Sequence, residues 1–545
     1  MKPCRLETNI YRGLRRASFY TKHRPLIETV FENLCSGLNV VQLPTGYGKT
    51  ALPVVSGLST LVSPENYVRA IHVLPLRSII DDAYNSTSNG LKKLGFQNVE
   101  EFVARQMMGV PGSPFLNKNI VFVTVETFKL HMLKTPPPEI KNIICPKLLG
   151  GKQWETFGHF EISRGAIIES AVFIDEPQLM TAEHNMQDFL ASLIYALAAL
   201  NTPTVLMTAT ISKGLRKTVK EAAEKFCSEY REMLYGENIF DKDFENNMKS
   251  KKVETRLANA QAADIVKDLQ KENRWNRVLI VVNTVDKAKK LYSMFGGEEP
   301  LILHGRLTKQ DREKALDTLK NRSSWLAITT QVVEAGVNIS AQQMLTEIAP
   351  ASSLVQRAGR VARYDEETEG EIIIAEAEPS PYSQETVEKT YEILRKIVDG
   401  GTIFWRLPKA ENGVGYSCLI DLVHNDEVYF PPNNILNQML NPLSTPDNAL
   451  FAFAENNMIN VYVSDDYYVI SEEKSYVSDL TKFAQHHRNA PAVIQDESGI
   501  RVQQDLTVKQ IIRKQLPLLF MVCNGIIGFV VSEEDYRNEA FGVVS

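Results

Sequence analysis

The segment Pro44-Thr45-Gly46-Tyr47-Gly48-Lys49-Thr50 has the residue types of a phosphate cradle. Gly46 and Gly48 let the backbone curl so that successive N–H groups point at phosphate oxygens. Lys49 adds positive charge against the outer phosphates, and the Thr50 hydroxyl is placed to hold Mg²⁺. Far downstream, Gln356-Arg357-Ala358-Gly359-Arg360-Val361-Ala362-Arg363 carries three guanidinium groups in one short stretch. Arg360 and Arg363 share a helical face and can together stabilise charge developing on a γ-phosphoryl group, an effect worth roughly a thousandfold in rate. Between these strings, Asp175-Glu176-Pro177-Gln178 ends an apolar run. Asp175 is placed there to hold Mg²⁺ through water, and Glu176 to polarise an attacking water. A cradle alone describes any nucleotide-binding domain. Cradle, acid cluster and distant arginines together describe two domains closing on one ATP.

The elements that must position these residues alternate apolar, strand-like runs with amphipathic stretches, the sequence form of a parallel sheet flanked by helices. Residues 37–44 read as a strand running into the cradle, and 70–75, 120–124, 170–175 and 204–210 read as its companions. Most lead into polar or turn-forming residues at the C-terminal end, where open α/β sheets place their ligands. A second set of strands is expected at 277–283, 300–304, 324–329, 344–348 and 371–375. The fold class is therefore α/β, with two tandem parallel-sheet domains: domain one over 1–212, a helical connector without a clear strand over 213–262, and domain two over 263–400. Residues 132–169, with Pro136-Pro137-Pro138, read as an insertion before the acid cluster. Residues 401–545 combine a Pro- and Asn-rich stretch with β-rich sequence such as Ile459-Asn460-Val461-Tyr462-Val463 and are read as an accessory domain.

At 545 residues the chain exceeds a single core and suits about three domains. Hydrophobic content of 44% with 23% charged residues is ordinary for a globular protein, and no apolar run reaches the roughly 20 residues of a membrane span. The start, Met1-Lys2-Pro3-Cys4-Arg5, lacks the apolar core of a secretory signal. Six cysteines lie far apart with no CxxC pair, which argues against zinc or iron–sulfur binding and fits a reducing cytoplasm. The net charge of −6 does not exclude nucleic acid, because local grooves rather than totals attract phosphates. Arg5, Arg12, Arg15, Arg16, Lys22 and Arg24 cluster near the start and read as a solvated face or arm.

The generic cradle pattern would need a glycine at Leu43; the form present, Pro-Thr-Gly-x-Gly-Lys-Thr, is typical of helicases. With the acid cluster, Thr208-Ala209-Thr210 and the arginine string, the chain resembles a superfamily-two helicase with two RecA-like domains. The resemblance runs over about residues 20 to 365. It implies a coupling role for Thr208-Ala209-Thr210 and adds Arg24 and Gly336 to the nucleotide-binding set. Leu74-Pro75-Leu76-Arg77 and Val123-Thr124-Val125-Glu126-Thr127 sit where that family grips the nucleic-acid backbone from domain one. Asn283-Thr284, His304-Gly305-Arg306 and the run from Thr329 to Val337 match the corresponding domain-two elements. The implied strand contacts are Arg77, Thr124, Asn283, Thr284, Arg306, Thr329, Thr330 and Gln331.

More narrowly, Thr346-Glu347-Ile348-Ala349-Pro350 leading into Gln356-Arg357-Ala358-Gly359-Arg360 resembles the Cas3 family, the helicase of type I CRISPR interference. That resemblance implies 3′-to-5′ movement on single-stranded DNA, recruited by a crRNA-guided surveillance complex. Many members carry an N-terminal HD nuclease domain. Here the helicase motifs begin almost at once and none of the nine histidines precedes an aspartate, so a separate HD-type nuclease subunit is the expected partner. Three departures bear on the site. Ile27 stands where an adenine-reading glutamine is usual, Gln178 where histidine or aspartate is usual, and Asn338 where an aspartate is usual. The motor motifs alone leave open a DNA-repair or RNA helicase, and a binding module with a dead ATPase fold is disfavoured because Lys49, Asp175, Glu176, Arg360 and Arg363 are all present.

Overall fold

The structure is a computed structural model describing residues 5–75, 77–107, 110–137, 145, 161–181, 184–266, 276–295, 300–334, 337–410, 414–424, 428–441, 458–466, 469–496, 499–514 and 517–541. Its first sheet contains β1 (Leu38–Gln42), β2 (Arg69–Leu74), β3 (Val103–Met107), β4 (Val110–Pro111), β5 (Ile120–Thr124), β6 (Ser170–Asp175), β7 (Thr204–Thr208) and β8 (Tyr230–Leu234). The order is β4-β3-β5-β2-β6-β7-β1-β8, parallel apart from the β3–β4 pair. The five strands expected from apolar runs occupy its centre, where β1, β5 and β7 are buried along their whole length. Helices cover both faces, so these strands read as continuous apolar runs rather than alternating ones.

The second sheet contains β9 (Lys252–Gln261), β10 (Arg277–Val281), β11 (Leu301–Leu303), β12 (Trp325–Thr329), β13 (Gln343–Glu347) and β14 (Glu369–Glu376). All its pairings are parallel, in the order β11-β12-β10-β13-β14-β9. Two such sheets in tandem are RecA-like domains. The expectation of a strand-free connector over 213–262 is corrected: β8 closes one edge of the first sheet and β9 one edge of the second. Both are edge strands: β9 alternates exposed and partly buried positions, and β8 is buried only at its last two residues, so they need few apolar residues and carry the charged composition that read as helix.

Beyond domain two, the chain does not form one accessory body. After the helix Gln384–Gly400, a short strap pairs β15 (Ile403–Phe404) with β16 (Val414–Gly415) and returns to domain one. The helix Asn433–Leu440 then packs Leu436 and Met439 into the domain-one core. Around it, Arg164 donates to the Met439 carbonyl at 2.7 Å and Gln438 to the Leu133 carbonyl at 3.0 Å. A separate mixed sheet holds β17 (Met458–Val463), β18 (Ser475–Asp479), β19 (Pro491–Asp496), β20 (Gly499–Thr507) and β21 (Ile526–Val531), in the order β18-β17-β21-β19-β20. Cys145 is disulfide-bonded to Cys523, 378 residues away. Spacing along the chain, from which the cysteines were expected to fit a reducing compartment, did not foresee this pair. The rest of the insertion expected at 132–169 lies largely outside the described residues. Arg12 and Arg15 pair with Glu28, and Lys22 with Asp365, so much of the basic cluster near the start is neutralised within the protein.

The terminal helix Glu533–Phe541 fastens the third sheet to domain two. Tyr536 Oη donates to Asp311 Oδ2 at 2.6 Å and accepts from the Thr308 N–H at 2.9 Å. Burial pushes the His304 imidazole down to about 4, so it is neutral at physiological pH. Its Nε2–H donates to the Ala540 carbonyl at 2.7 Å, while Nδ1 accepts from the Arg306 N–H at 3.2 Å. Tyr536→Phe removes one hydroxyl and leaves the Thr308 N–H without its acceptor, while Asp311 keeps the Thr308 hydroxyl, a loss of about 1–3 kcal/mol. The urea-unfolding midpoint should fall accordingly. An unchanged midpoint would show that this hydroxyl does not hold the helix in place.

Candidate nucleotide site and nucleic-acid face

The loop between β1 and the helix Ala51–Thr60 carries the cradle. Gly46 and Gly48 have φ of +75° and +98°, left-handed conformations that side-chain-bearing residues rarely adopt. Lys49 Nζ reaches across to Glu176 Oε1 at 3.0 Å. Glu176 follows β6 with φ +48°. Its Oε2 accepts from Gln178 Nε2 at 2.6 Å, and the Thr208 hydroxyl lies 2.7 Å from that oxygen and 2.8 Å from Gln178 Oε1. Burial works against charge on Glu176, yet the Lys49 ammonium and these donors outweigh it and hold the carboxyl below its usual range. Asp175 Oδ2 lies 3.5 Å from His72 Nε2, and its Oδ1 is buried without a hydrogen-bond partner among the described residues.

Domain two presents the helix Ala351–Ala358 and Gly359 to this loop. A Cβ built on Gly359 would stand 3.1 Å from Thr45 Oγ1, so the glycine permits close approach of the two domains. The three arginines of the string have different surroundings. Arg357 is fully buried and donates to Glu334 Oε1 (2.8 Å), Thr346 Oγ1 (3.0 Å), the Glu347 carbonyl (3.1 Å), Asn283 Oδ1 (3.0 Å) and Tyr382 Oη (2.9 Å). Arg360 donates from Nε to the Val333 carbonyl and from Nη2 to the Glu334 carbonyl. Arg363 is half-buried, burial lowers its pKa, and its guanidinium has no hydrogen bond among the described residues. The Gln356 amide is buried with both polar atoms unpartnered among the described residues, as is Thr45 Oγ1. Unpaired donors and acceptors on both walls of the cleft suit a polar, charged ligand and its water, and ATP with Mg²⁺ fits that chemistry.

The structure moves several expected contacts away from the ligand. Tyr47 points into the core, donating to Asp241 Oδ2 at 2.5 Å, while the Arg24 guanidinium lies 5.3 Å from its ring centroid and 5.1 Å from that of Phe244. Tyr47 therefore supports the cradle by packing, with its backbone left to the loop. Pro44 accepts from the Tyr47 N–H, and Thr50 is exposed at the start of the following helix. Among the strand contacts, Thr124 is buried and caps the helix Val125–Met132 through the Thr127 N–H. Asn283 is buried between Ile348, Glu347 and Arg357, and Thr329 and Thr330 are buried at the end of β12. Thr124, Asn283 and Thr329 are corrected from ligand contacts to structural groups, because their side chains bond buried backbone at strand ends, and Thr330 is buried beside them. Gln331 donates to the Asn283 carbonyl. Thr284 caps the helix Val285–Ser293. Arg306 lies 3.8 Å from Asp286 and 3.9 Å from Glu539. Arg77 is half-buried; burial lowers its pKa against Glu126, Asp81 and Tyr462 of the third sheet. Gly336 lies outside the described residues. Arg406, which belongs to no motif, was missed by sequence reasoning: its Nη2 lies 3.5 Å from where a Cβ on Gly46 would stand.

Arg357→Leu leaves the Glu334 carboxylate buried without its partner, which costs about 3–5 kcal/mol. Chemical unfolding should read this as a large loss, and adding Glu334→Gln should recover part of it. A variant as stable as the parent would show that the pair is not structural.

Two family models match the chain: DEAD/DEAH box helicase over residues 24–218, and CRISPR-associated nuclease/helicase Cas3, C-terminal, over residues 274–366. The chain is 22% identical over 406 residues to the CRISPR-associated helicase Cas3 of Thermoproteus tenax, covering 72% of this chain and 64% of that relative. It thus spans less than two-thirds of that relative's length. Its fold is similar to the crystal structure of T. fusca Cas3-ATP, with TM-score 0.59 and 15% identity over 89% of this chain and 67% of that one. It is also similar to a chain of a CRISPR RNA-guided surveillance complex, pre-nicking, with TM-score 0.52 and 18% identity over 84% and 59%. Tandem RecA-like sheets with this motif order are similar to those of superfamily-two helicases. Within that class the chain is more specifically similar to the Cas3 family, through the match over residues 274–366 and the Thermoproteus tenax relative.

Proposed function

We propose that the chain is an ATP-driven motor moving 3′-to-5′ along single-stranded DNA in type I CRISPR interference. The observation that carries this reading is the approach of Gly359 to Thr45, which sets the arginine string against the phosphate cradle. In this reading the cradle N–H groups and Lys49 bind the triphosphate of ATP. Thr50 and Asp175 are the residues that would hold Mg²⁺, whose charge would neutralise the phosphate oxygens. Glu176, held as a carboxylate, orients and deprotonates the attacking water. Gln178 and Thr208 fix its direction. Arg360 and Arg363 approach from domain two and stabilise charge on the transferred phosphoryl group. Binding draws the domains together and hydrolysis releases them, so a strand gripped by both domains is passed along. Arg77, Thr284, Arg306 and Gln331 are the assigned side-chain contacts, made to phosphates and therefore tolerant of sequence and weakened by salt.

Similarity to the Cas3 family supports the CRISPR role, and the likeness to a chain of a surveillance complex supports recruitment by a crRNA-guided assembly. An HD-type nuclease subunit is the proposed partner that cuts the DNA this motor draws through. No described helix is long and apolar enough to cross a membrane, and action on DNA beside such a complex belongs in the cytoplasm.

ATPase assays with matched single-stranded DNA and RNA should show stimulation by DNA; equal or RNA-limited stimulation would overturn the substrate assignment. Lys49→Ala should abolish turnover. Glu176→Gln should bind ATP normally and hydrolyse it slower by roughly 10²–10⁴-fold. Loss of binding in the glutamine variant would refute its role as base. Displacement of a duplex bearing a 3′ tail, and not one bearing a 5′ tail, checks the polarity.

A further inference from the structure

Arg406 is placed by the strap that follows domain two. On one side, Trp405 Nε1 donates to Thr255 Oγ1 of β9 at 2.8 Å. On the other, Leu407 is fully buried in the domain-one core, and Gln42, at the end of β1, donates to Ser417 Oγ at 3.1 Å. Arg406 lies between these anchors and is 9% exposed. Its Nη1 donates to the carbonyls of Ala362 and Arg363, both at 3.0 Å, which are the backbone of the arginine string itself. Its Nη2 faces the cradle at Gly46, and its Nε is buried without a hydrogen-bond partner among the described residues.

The charges around it are mostly of its own sign. Burial first, and then repulsion by Arg363 and Arg24, lower its pKa to about 10 against the opposing pull of Asp365 and Glu367. Lys251, which donates to the Ala362 carbonyl at 2.8 Å and also to that of Tyr364, is lowered to about 8 by burial first and by Arg406 second. The carboxylates are already engaged: Asp365 with Lys22 at 2.8 Å, and Glu367 with Arg277 at 2.5 Å. A buried guanidinium with carbonyl partners on one edge and fellow cations around it is stabilised by an anion on its open edge.

We propose that Arg406 is a further phosphate-binding residue, whose open edge donates to the triphosphate in the Gly46 cradle and ties the strap to the nucleotide. The proposal rests on the reading of the cradle as an ATP site. It adds a ligand from outside both matched family segments, on the residue preceding one that is rooted in domain one. The strap is thereby part of the nucleotide site rather than a tether to the third sheet.

The test measures fluorescent-ATP affinity and the ATP-induced shift of melting temperature, each variant against its own unliganded midpoint, in the full chain. Arg406→Ala should weaken ATP binding about tenfold or more and raise KM, the loss of a charge-assisted hydrogen bond. Arg406→Lys keeps the charge without the fork and should recover part of the affinity. Undiminished ATP affinity and an undiminished ATP-induced shift in Arg406→Ala, with wild-type ATP binding intact, would sink the proposal alone and leave Arg406 as a staple on two carbonyls. A wild-type chain that binds no ATP would sink the cradle reading and this proposal together.

Discussion

The ion pair between Lys49 and Glu176 is the interaction on which the site is organised. It joins the lysine proposed to bind phosphate to the carboxylate proposed as base, in surroundings where either charge alone would be costly. Gln178 and Thr208 satisfy the far oxygen of Glu176, so the carboxylate is oriented even when Lys49 is drawn elsewhere. A triphosphate in the cradle competes for the same lysine. In the proposed cycle, binding therefore transfers Lys49 from carboxylate to phosphate and leaves Glu176 ionised and facing the water it must activate. The left-handed backbone at Glu176 holds this geometry at the end of β6, a strained conformation of the kind that surrounding structure must enforce.

The same carboxylate leads toward domain two. Thr208 touches Glu176, and the next residue, Ala209, packs in the hydrophobic cluster formed mainly by domain two and the third sheet. A change at Glu176 is therefore one side chain and one peptide from the opposite domain. On that side, Arg357 locks Glu334, Asn283 and Thr346 together, so the arginine string emerges from a rigid base. The string thus divides its labour by burial: a fully enclosed arginine builds the platform, and Arg360 and Arg363 sit at its edge.

Sequence carried the centre of each sheet because those strands are enclosed on both faces and must be apolar throughout. The edges were harder to read. In β9 exposed and partly buried positions alternate, and its Lys252, Glu254 and Arg256 carry charge where solvent tolerates it. The cradle, acid cluster and arginine string were legible because phosphate chemistry restricts residue type and spacing at once. The strand contacts were less so: Thr124, Asn283, Thr329 and Thr330 occupy motif positions, and a motif does not state whether a hydroxyl or amide faces a ligand or a neighbouring peptide. Arg406 had no local signal, since its neighbours come from residues near 24, 46 and 363 and meet only in the fold.

The strap ties the two domains together across the cleft. Arg406 grips the backbone at Ala362 and Arg363 in domain two, while Leu407 is sealed in the core of domain one. Adjacent Cα atoms stand about 3.8 Å apart, so the chain has almost no slack between these anchors. Parting of the domains by more than a few ångströms must break the carbonyl bonds of Arg406 or draw Leu407 from its pocket. Extraction of a buried leucine costs about 1.5–3 kcal/mol, of the same order as the hydrogen bonds it competes with. Neither anchor dominates, so the strap yields at whichever side the nucleotide leaves weaker. The helix Tyr416–Val423, next along the chain, packs Tyr416, Leu419, Ile420 and Val423 into the domain-two cluster, so the strap is held from both domains within a few residues.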